Sequence, residues 1–285
     1  MRWATLLLVS VIVTTAAQAG PPFVTDDPET PPLHGWEINV PFTLEHETAE
    51  SVLEAPLFDI NYGLTATVQL MVEFAFLHAT LGENRTEHGL SDTGVGVKWR
   101  FLEEGPQAPQ IAVYPQVVIP TGGSRRGLGE GKASYVLPLI AQKSWGRWTM
   151  FGNVGAVLQS RPGSRDFWFQ GLVLVREVSP CLELGLEEYG NSPADRDEPS
   201  SLGFNLGGTW KVAHTVGVLF SAGRTVRGEQ ATTVYLGIQL LLGGAGESSE
   251  QAQNGPFQGS SRLVRSPKVR KEILTVLEQS QSFTL

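Results

Sequence analysis

The residues whose types could do chemistry in this sequence are charged side chains that alternate with apolar ones. Alternation with a period of two places the charges on one face of a β-strand and the apolar side chains on the other. Carboxylates and cations on a shared face can pair with one another as a rigid plug, or they can line a polar pathway. Both interpretations stay open for the candidate residues, which are Glu37, Asp59, Glu73, Lys98, Arg100, Arg176, Glu183, Glu187 and Lys211.

The sequence shows no catalytic or metal-binding motif. The five histidines lie apart without the paired spacing of metal ligands, and no G-x-S-x-G motif occurs. Residues 121–132 resemble a phosphate-binding loop, but Arg126 stands at its first glycine position and Ala133 replaces the required serine or threonine. We therefore predict a mobile external loop there, and a protein without enzymatic activity, cofactor or metal. A lipid hydrolase that pairs a serine with His78 or His88 is the alternative.

The elements that must position the charged residues are predicted to be strands. A high glycine content and many short apolar runs favour strands and turns over helices. Pro115 and Pro138 fall inside the fifth and sixth strands, and each predicts a bulge or local break, because proline lacks a ladder donor. The twelve predicted strands are 35–45, 55–62, 65–79, 91–102, 110–120, 133–144, 147–159, 166–177, 181–189, 201–212, 215–226 and 231–242.

The beginning of the chain predicts secretion. Arg2, an apolar run and the cleavage pattern at residues 17–19 match a signal peptide over residues 1–19. Its removal takes the formal net charge from −8 to −9, because Arg2 is lost, and this acidic balance argues against nucleic acid as a partner. The single Cys181 excludes an internal disulfide and any multi-cysteine metal site. The remaining sequence has no apolar run long enough for a spanning helix, so membrane insertion would require a closed barrel.

The connections between the predicted strands alternate in length. The odd connections 46–54, 80–90, 121–132 and 190–200 are long and polar, whereas most even ones are tight turns. Long external loops, short periplasmic turns and an even strand count are typical of outer-membrane barrels. We therefore predict an all-β fold, an antiparallel up-and-down transmembrane β-barrel of about 12 strands. The charged candidates are expected to line its lumen, because a lysine or arginine facing lipid near the midplane costs about 2–4 kcal/mol.

Aromatic residues near both ends of the strands agree with this topology. Such rings form girdles at the two membrane interfaces. The alternative is that they pack the core of a soluble β-protein. The expected girdles consist of Trp36, Tyr62, Trp99, Trp148 and Trp210 at the periplasmic ends, and of Phe74, Phe76, Tyr135, Phe167 and Phe169 at the external ends.

Two segments flank the predicted barrel over residues 35–242. Residues 20–34 are predicted to be an N-terminal periplasmic segment. Residues 243–285 are predicted to be a flexible periplasmic tail, because residues 243–261 are rich in glycine, serine and glutamine. Within this tail, Pro267 and apolar residues at helical spacing predict a short helix over residues 267–279.

Several motifs resemble a known family. They are residues 21–28 (PPFVTDDP), residues 92–101 (DTGVGVKWRF), residues 118–122 (VIPTG) and Gly131. These motifs resemble the outer-membrane transporter-like family named for the meta-pathway of phenol degradation, over roughly residues 21–242. The resemblance implies a barrel and the uptake of small molecules that are often hydrophobic or aromatic.

The predicted function is a passive channel or uptake protein for small molecules in the outer membrane of a Gram-negative bacterium. Its expected partners are outer-membrane lipid, small-molecule solutes and the barrel-assembly machinery, with no nucleic acid and no cofactor. One alternative is a plugged structural barrel whose tail binds a partner. The other is an outer-membrane lipid hydrolase.

Overall fold

The computed structural model describes residues 22–47, 50–81, 85–160, 164–194 and 199–243. The predicted signal peptide over 1–19, the tail beyond Gly243 and the predicted helix over 267–279 lie outside the described residues. Within the described ranges, no helix has the length and apolar character needed to cross a membrane.

In the part of the chain that the structure describes, fourteen antiparallel strand segments form one sheet that closes on itself. The sheet closes because β1 pairs with both β2 and β14, while β3 pairs with β5. β4 and β5 occupy one position beside β3, and β6 and β7 occupy one position beside β8. The fourteen segments therefore form a barrel of twelve strands, and the predicted fold class is confirmed. The segments are β1 (Trp36–His46), β2 (Glu50–Gly63), β3 (Val68–Leu81), β4 (Arg85–Leu90), β5 (Thr93–Leu102), β6 (Gln110–Val113), β7 (Gln116–Ile119), β8 (Ser134–Trp145), β9 (Trp148–Gln159), β10 (Phe167–Ser179), β11 (Leu182–Asn191), β12 (Ser201–Ala213), β13 (Val216–Arg227) and β14 (Thr232–Leu242).

The barrel buries polar side chains and exposes apolar ones. On the outer face, Leu206 and Trp168 are 65% and 66% exposed, whereas Asn39 and Glu187 on the inner face are fully buried. A contiguous apolar surface of this kind marks contact with lipid. The alternative of a soluble β-protein is therefore wrong, because such a protein would bury these apolar side chains in its core.

The two strand prolines behave differently. The predicted break at Pro115 is confirmed, since β6 ends at Val113 and β7 begins at Gln116. The predicted break at Pro138 is wrong, because β8 pairs with β9 without a register shift along its whole length. Pro138 lies opposite the gap between β6 and β7, where its carbonyl accepts a hydrogen bond from the Tyr114 amide. Its missing donor therefore falls where the ladder between β8 and the β6–β7 position is interrupted, and the ladder with β9 is unaffected.

Two predicted external loops are partly strand. β2 already begins at Glu50, within the predicted loop 46–54, and β4 forms a hairpin with β3 inside the predicted loop 80–90. Strands that project beyond the membrane do not need an apolar outer face, so the alternation that predicts strands is absent there. A register shift between Glu54 and Leu57 further breaks the period in β2.

The aromatic girdles are present with one correction. At the periplasmic ends, Trp36 packs against Tyr62 on the outer face, with ring centroids 4.6 Å apart. Phe167 and Phe169 were predicted to face lipid at the external ends, but both share the inner face with buried Val173. Trp168, which lies between them, faces outward. The strand alternates as predicted, but the inward and outward positions are the reverse of the prediction.

Candidate functional site

The chain preceding β1 enters the barrel. Phe23 is buried against Phe151 and Val173 of the inner wall, and the Pro22 carbonyl accepts a hydrogen bond from Ser221 Oγ at 2.6 Å. We call residues 22–35 the N-terminal segment. Sequence reasoning placed residues 20–34 in the periplasm, whereas Pro22, Phe23 and Thr25 contact side chains of the inner wall. Sequence reasoning missed this because the contacts of the segment join residues between 69 and 199 positions apart.

Glu187 holds the N-terminal segment to β11. Its carboxylate accepts the backbone amides of Thr25 at 2.6 Å and Val24 at 3.1 Å, and it also accepts the Asn205 side-chain amide at 2.6 Å. A fully buried carboxylate is stable only when such donors surround it. Glu187 is one of the predicted lumen candidates, and the structure places it on the inner face as an anchor for the segment.

Two glycines of the wall make room for the segment. A Cβ atom on Gly171 would overlap the Thr25 side chain, and a Cβ atom on Gly185 would lie 2.7 Å from the Phe23 ring. Because no side chain could occupy either position with the segment in place, the wall is shaped to receive it.

Lys98 forms the second anchor of the N-terminal segment. Its ammonium group lies 2.9 Å from Asp26 Oδ1, and both side chains are 5% exposed. The same group donates to the carbonyls of Asp27 at 2.8 Å and Glu29 at 3.3 Å, and it lies 4.8 Å from the centre of the Tyr114 ring. Burial raises the pKa of Asp26 to about 6, although the neighbouring ammonium of Lys98 opposes this rise.

Further charged candidates meet near the periplasmic end of the lumen. Arg100 pairs with Glu29 of the segment at 2.9 Å and with Glu103 at 3.1 Å. Lys211 pairs with Glu183 across neighbouring strands. The sequence could predict the inward direction of these side chains from alternation, but it could not predict their partners.

A polar cavity of about 210 Å³ remains beside the N-terminal segment. Carboxylates outnumber cations on its wall, and the cations Lys98 and Lys211 are already paired with carboxylates. Asn39 bridges Glu37 and Asp59 through its side-chain nitrogen, at 3.2 and 2.9 Å. The charged residues of the lining are Asp26, Asp27, Glu29, Glu37, Asp59, Glu73, Lys98, Glu183 and Lys211.

The loop between β7 and β8, residues 120–133, closes the external half of the lumen. Leu128 at its tip is fully buried against Leu57, Ala75 and Leu77 of the inner wall. The carboxylate of Asp92 accepts the Gly122 and Glu130 amides, each at 2.8 Å. We call these residues the inserted loop. The prediction of a mobile external loop is wrong here, because Leu128 and the Asp92 hydrogen bonds hold it inside the barrel.

Arg176 is a correction to the predicted lumen set. It lies on the outer face of β10 with exposed Leu172 and Val178, and its guanidinium is 5.1 Å from the centre of the Trp148 ring. Residues 172–175 are apolar on both faces, so alternation does not show which residues of β10 face the lumen. Near a membrane interface, an arginine can keep its charge in water while its stem contacts lipid.

The structure gives little support to the hydrolase alternative. Within the described residues, no serine hydroxyl bonds to His78 or His88. The described chain does place Ser51 Oγ 2.6 Å from His46 Nδ1. Both residues stand at the external rim of the barrel, and neither belongs to the cavity beside the N-terminal segment. No group of three or more histidine, cysteine or acidic residues in the described chain could hold a metal ion.

The fold and the occupied polar lumen define the class of this protein, an outer-membrane β-barrel of a Gram-negative bacterium. The chain belongs to the family described as the MetA-pathway of phenol degradation, whose model matches residues 25–241. No curated protein matches the chain.

Two solved structures share the fold at low sequence identity. The COG4313 outer membrane channel from Pseudomonas putida F1 is 14% identical with a TM-score of 0.62, and the match covers 76% of this chain and 98% of the channel. The NanC porin is 6% identical with a TM-score of 0.52, and the match covers 71% of this chain and 98% of the porin. These similarities concern the fold alone, so the identity of the solute has to be inferred from the residues that line the lumen.

Proposed function

We propose that the barrel is a passive channel or uptake protein for small molecules. The observation that carries the proposal is the charged cavity of about 210 Å³ inside a closed barrel. A barrel of twelve strands is wider than the eight-stranded kind that side chains alone can fill. The structural relatives named as a channel and a porin support the same function.

The lining of the cavity favours small cations among polar solutes. Glu37, Asp59 and Glu73 bring three further carboxyl groups to the wall, beside the paired Lys98 and Lys211, and an excess of acidic groups concentrates cations in a narrow cleft once those groups ionise. In the external half, a second cavity of about 70 Å³ is lined by apolar side chains, among them Leu57 and Leu128, together with the acidic residues Glu54, Glu73, Asp92 and Glu130. This half supports the uptake of hydrophobic or aromatic molecules that the family resemblance implies.

A plugged structural barrel is the second candidate. It is favoured by the N-terminal segment and the inserted loop, which enter the lumen from its two ends. Such a barrel would conduct neither ions nor solutes, whereas a channel would conduct them through the remaining space or after one insert moves.

Conductance of the purified full-length protein in planar bilayers tests the proposal. We expect ion conductance with a preference for cations, and the paired substitution Asp59→Asn with Glu73→Gln should weaken that preference. Glu188→Gln is the matched control, because Glu188 lies on the outer face beside Gln170 and should leave selectivity unchanged. If the wild-type barrel shows neither conductance nor solute flux in liposomes, the channel proposal is wrong and the plugged barrel replaces it.

A further inference from the structure

Two histidines face each other on the external hairpin of β3 and β4. His78 and His88 are direct partners in the antiparallel register, and their ring centroids are 6.2 Å apart with the ring planes inclined by 31°. Both side chains are exposed. They share the outer face with exposed Phe76 and Leu90, whereas buried Leu77 and Ala79 occupy the other face of β3.

This arrangement suits a transition-metal ion. Directly opposed residues of an antiparallel pair have Cβ atoms about 4.5–5.5 Å apart. Imidazole nitrogens bind such ions at about 2.0–2.1 Å, so two nitrogens on one ion stand roughly 3–4 Å apart, within reach of small side-chain rotations. Thr80 and Thr86, the next pair on the same face, leave room for water at the remaining coordination positions.

We propose that His78 and His88 together bind one divalent transition-metal ion at the external rim of the barrel. Imidazole ligands suit Cu²⁺, Ni²⁺ and Zn²⁺, and Cu²⁺ binds most tightly to a given set of nitrogen ligands. The pair has only two protein ligands, so it differs from a closed structural site and leaves water positions open for exchange.

The local charges permit a cation at this position. Arg85 and Arg126 are the nearby cations, and both approach Glu87, at 3.2 and 3.9 Å. In the alternating strand β4, Glu87 and Arg85 lie on the face opposite His88. The arginines therefore stand on the other side of the hairpin from the two imidazoles.

A bound ion would act on the mouth of the barrel. Arg126 Nη1 donates to the His88 carbonyl at 3.2 Å, and Arg85 Nη2 donates to the Arg125 carbonyl at 3.3 Å. These two bonds tie the hairpin to the inserted loop. An ion that joins β3 to β4 through the histidines therefore stiffens the support on which that loop rests.

Copper titration of the untagged, full-length protein in detergent tests the site after chelator treatment. We expect one Cu²⁺ per chain and an electron paramagnetic resonance spectrum with two coupled nitrogens. A second tethered ligand raises avidity by about 10²–10⁴-fold, so His78→Ala and His88→Ala should each weaken binding by about a hundredfold. His46→Ala is the matched control, since His46 is also an exposed histidine at the external end of a strand, and it should bind copper as the wild type does.

The folded state of each variant is checked by heat-modifiable migration before titration. Wild-type affinity in both single variants would overturn the proposal, and so would two independent ions per chain or a spectrum with one coupled nitrogen. Zn²⁺ and Ni²⁺, each added in the absence of Cu²⁺, should bind the same site more weakly, and binding of these ions that is unchanged in both single variants would also contradict the proposal. Copper binding does not depend on conductance, so this test is independent of the channel proposal.

Discussion

Replacing Lys98 by methionine should release the N-terminal segment from the lumen. The change keeps most of the side-chain volume but removes the ammonium group that lies 2.9 Å from Asp26 Oδ1. It also removes the donor to the carbonyls of Asp27 and Glu29. With methionine at position 98, the docked segment would bury the Asp26 carboxylate without a cation, and the carbonyls of Asp27 and Glu29 would have no donor.

The size of the effect follows from the burial of the pair. Removing one partner of a buried ion pair costs about 3–5 kcal/mol, and each 1.36 kcal/mol changes an equilibrium about tenfold. We expect the ratio of released to docked segment to rise by about a hundredfold or more at neutral to alkaline pH. The effect should shrink in acid, because Asp26, whose pKa burial raises to about 6, can then dock as the neutral acid.

Single-channel recording and liposome swelling measure the released fraction. Lys98→Met should increase open time and solute flux, and the double variant with Asp26→Asn should recover part of the loss, since it leaves no unpaired charge. The difference between the single and double variants gives the coupling energy of the pair. Glu188→Gln on the outer face serves as the control for nonspecific effects on conductance.

Two results would refute this reasoning. If folded Lys98→Met conducts like the wild type at every pH, then Lys98 does not hold the segment in the lumen. If the double variant is as open as the single variant, the effect comes from lost packing, and the charge of Asp26 is not its cause.

The remaining predictions concern pH, the inserted loop, the lipid-facing band and the tail. Because burial in the docked segment raises the pKa of Asp26 from its ordinary value of 3.8 to about 6, the docked state gains stability as the pH falls through that window. Conductance should therefore decrease on acidification from neutral pH to about 4, and Asp26→Asn should remove this contribution. Leu128→Ala should free the inserted loop and raise flux, since truncating a buried leucine costs about 2–5 kcal/mol; unchanged flux would contradict this. Trp36→Asp should impair assembly, seen as loss of heat-modifiable migration, whereas deleting residues 246–285 should leave the melting temperature of the folded barrel nearly unchanged.

The strands were predictable because lipid imposes a simple rule on them. Every strand inside the membrane must present apolar side chains outward, so the period of two is visible from Trp36 to Leu242. The same rule predicted the inward direction of Lys98 and Glu187. The rule failed for Arg176, because apolar residues on both faces of β10 do not show which residues point outward. It also failed for β4, which projects beyond the membrane and carries no apolar face.

The contents of the lumen were not predictable from local pattern. Lys98 meets Asp26 across 72 positions, and Glu187 meets Thr25 across 162. Neither contact leaves a periodic signal, because each depends on the closure of the barrel and on where the N-terminal segment enters it. The glycines that admit the segment were visible only as an unusual abundance, without any indication of what they accommodate.

The motif at residues 92–101 explains how both inserts are held by one side of the barrel. Along this stretch the alternate inward positions are Asp92, Gly94, Gly96, Lys98 and Arg100. The first accepts two amides of the inserted loop, and the last two hold the N-terminal segment. The two glycines between them leave space, since a Cβ atom on Gly96 would lie 2.9 Å from the Tyr114 ring. Residues 92–100 therefore contribute anchors to the closures at both ends of the lumen, so a solute that crosses the barrel either passes through the space beside the two inserts or displaces one of them.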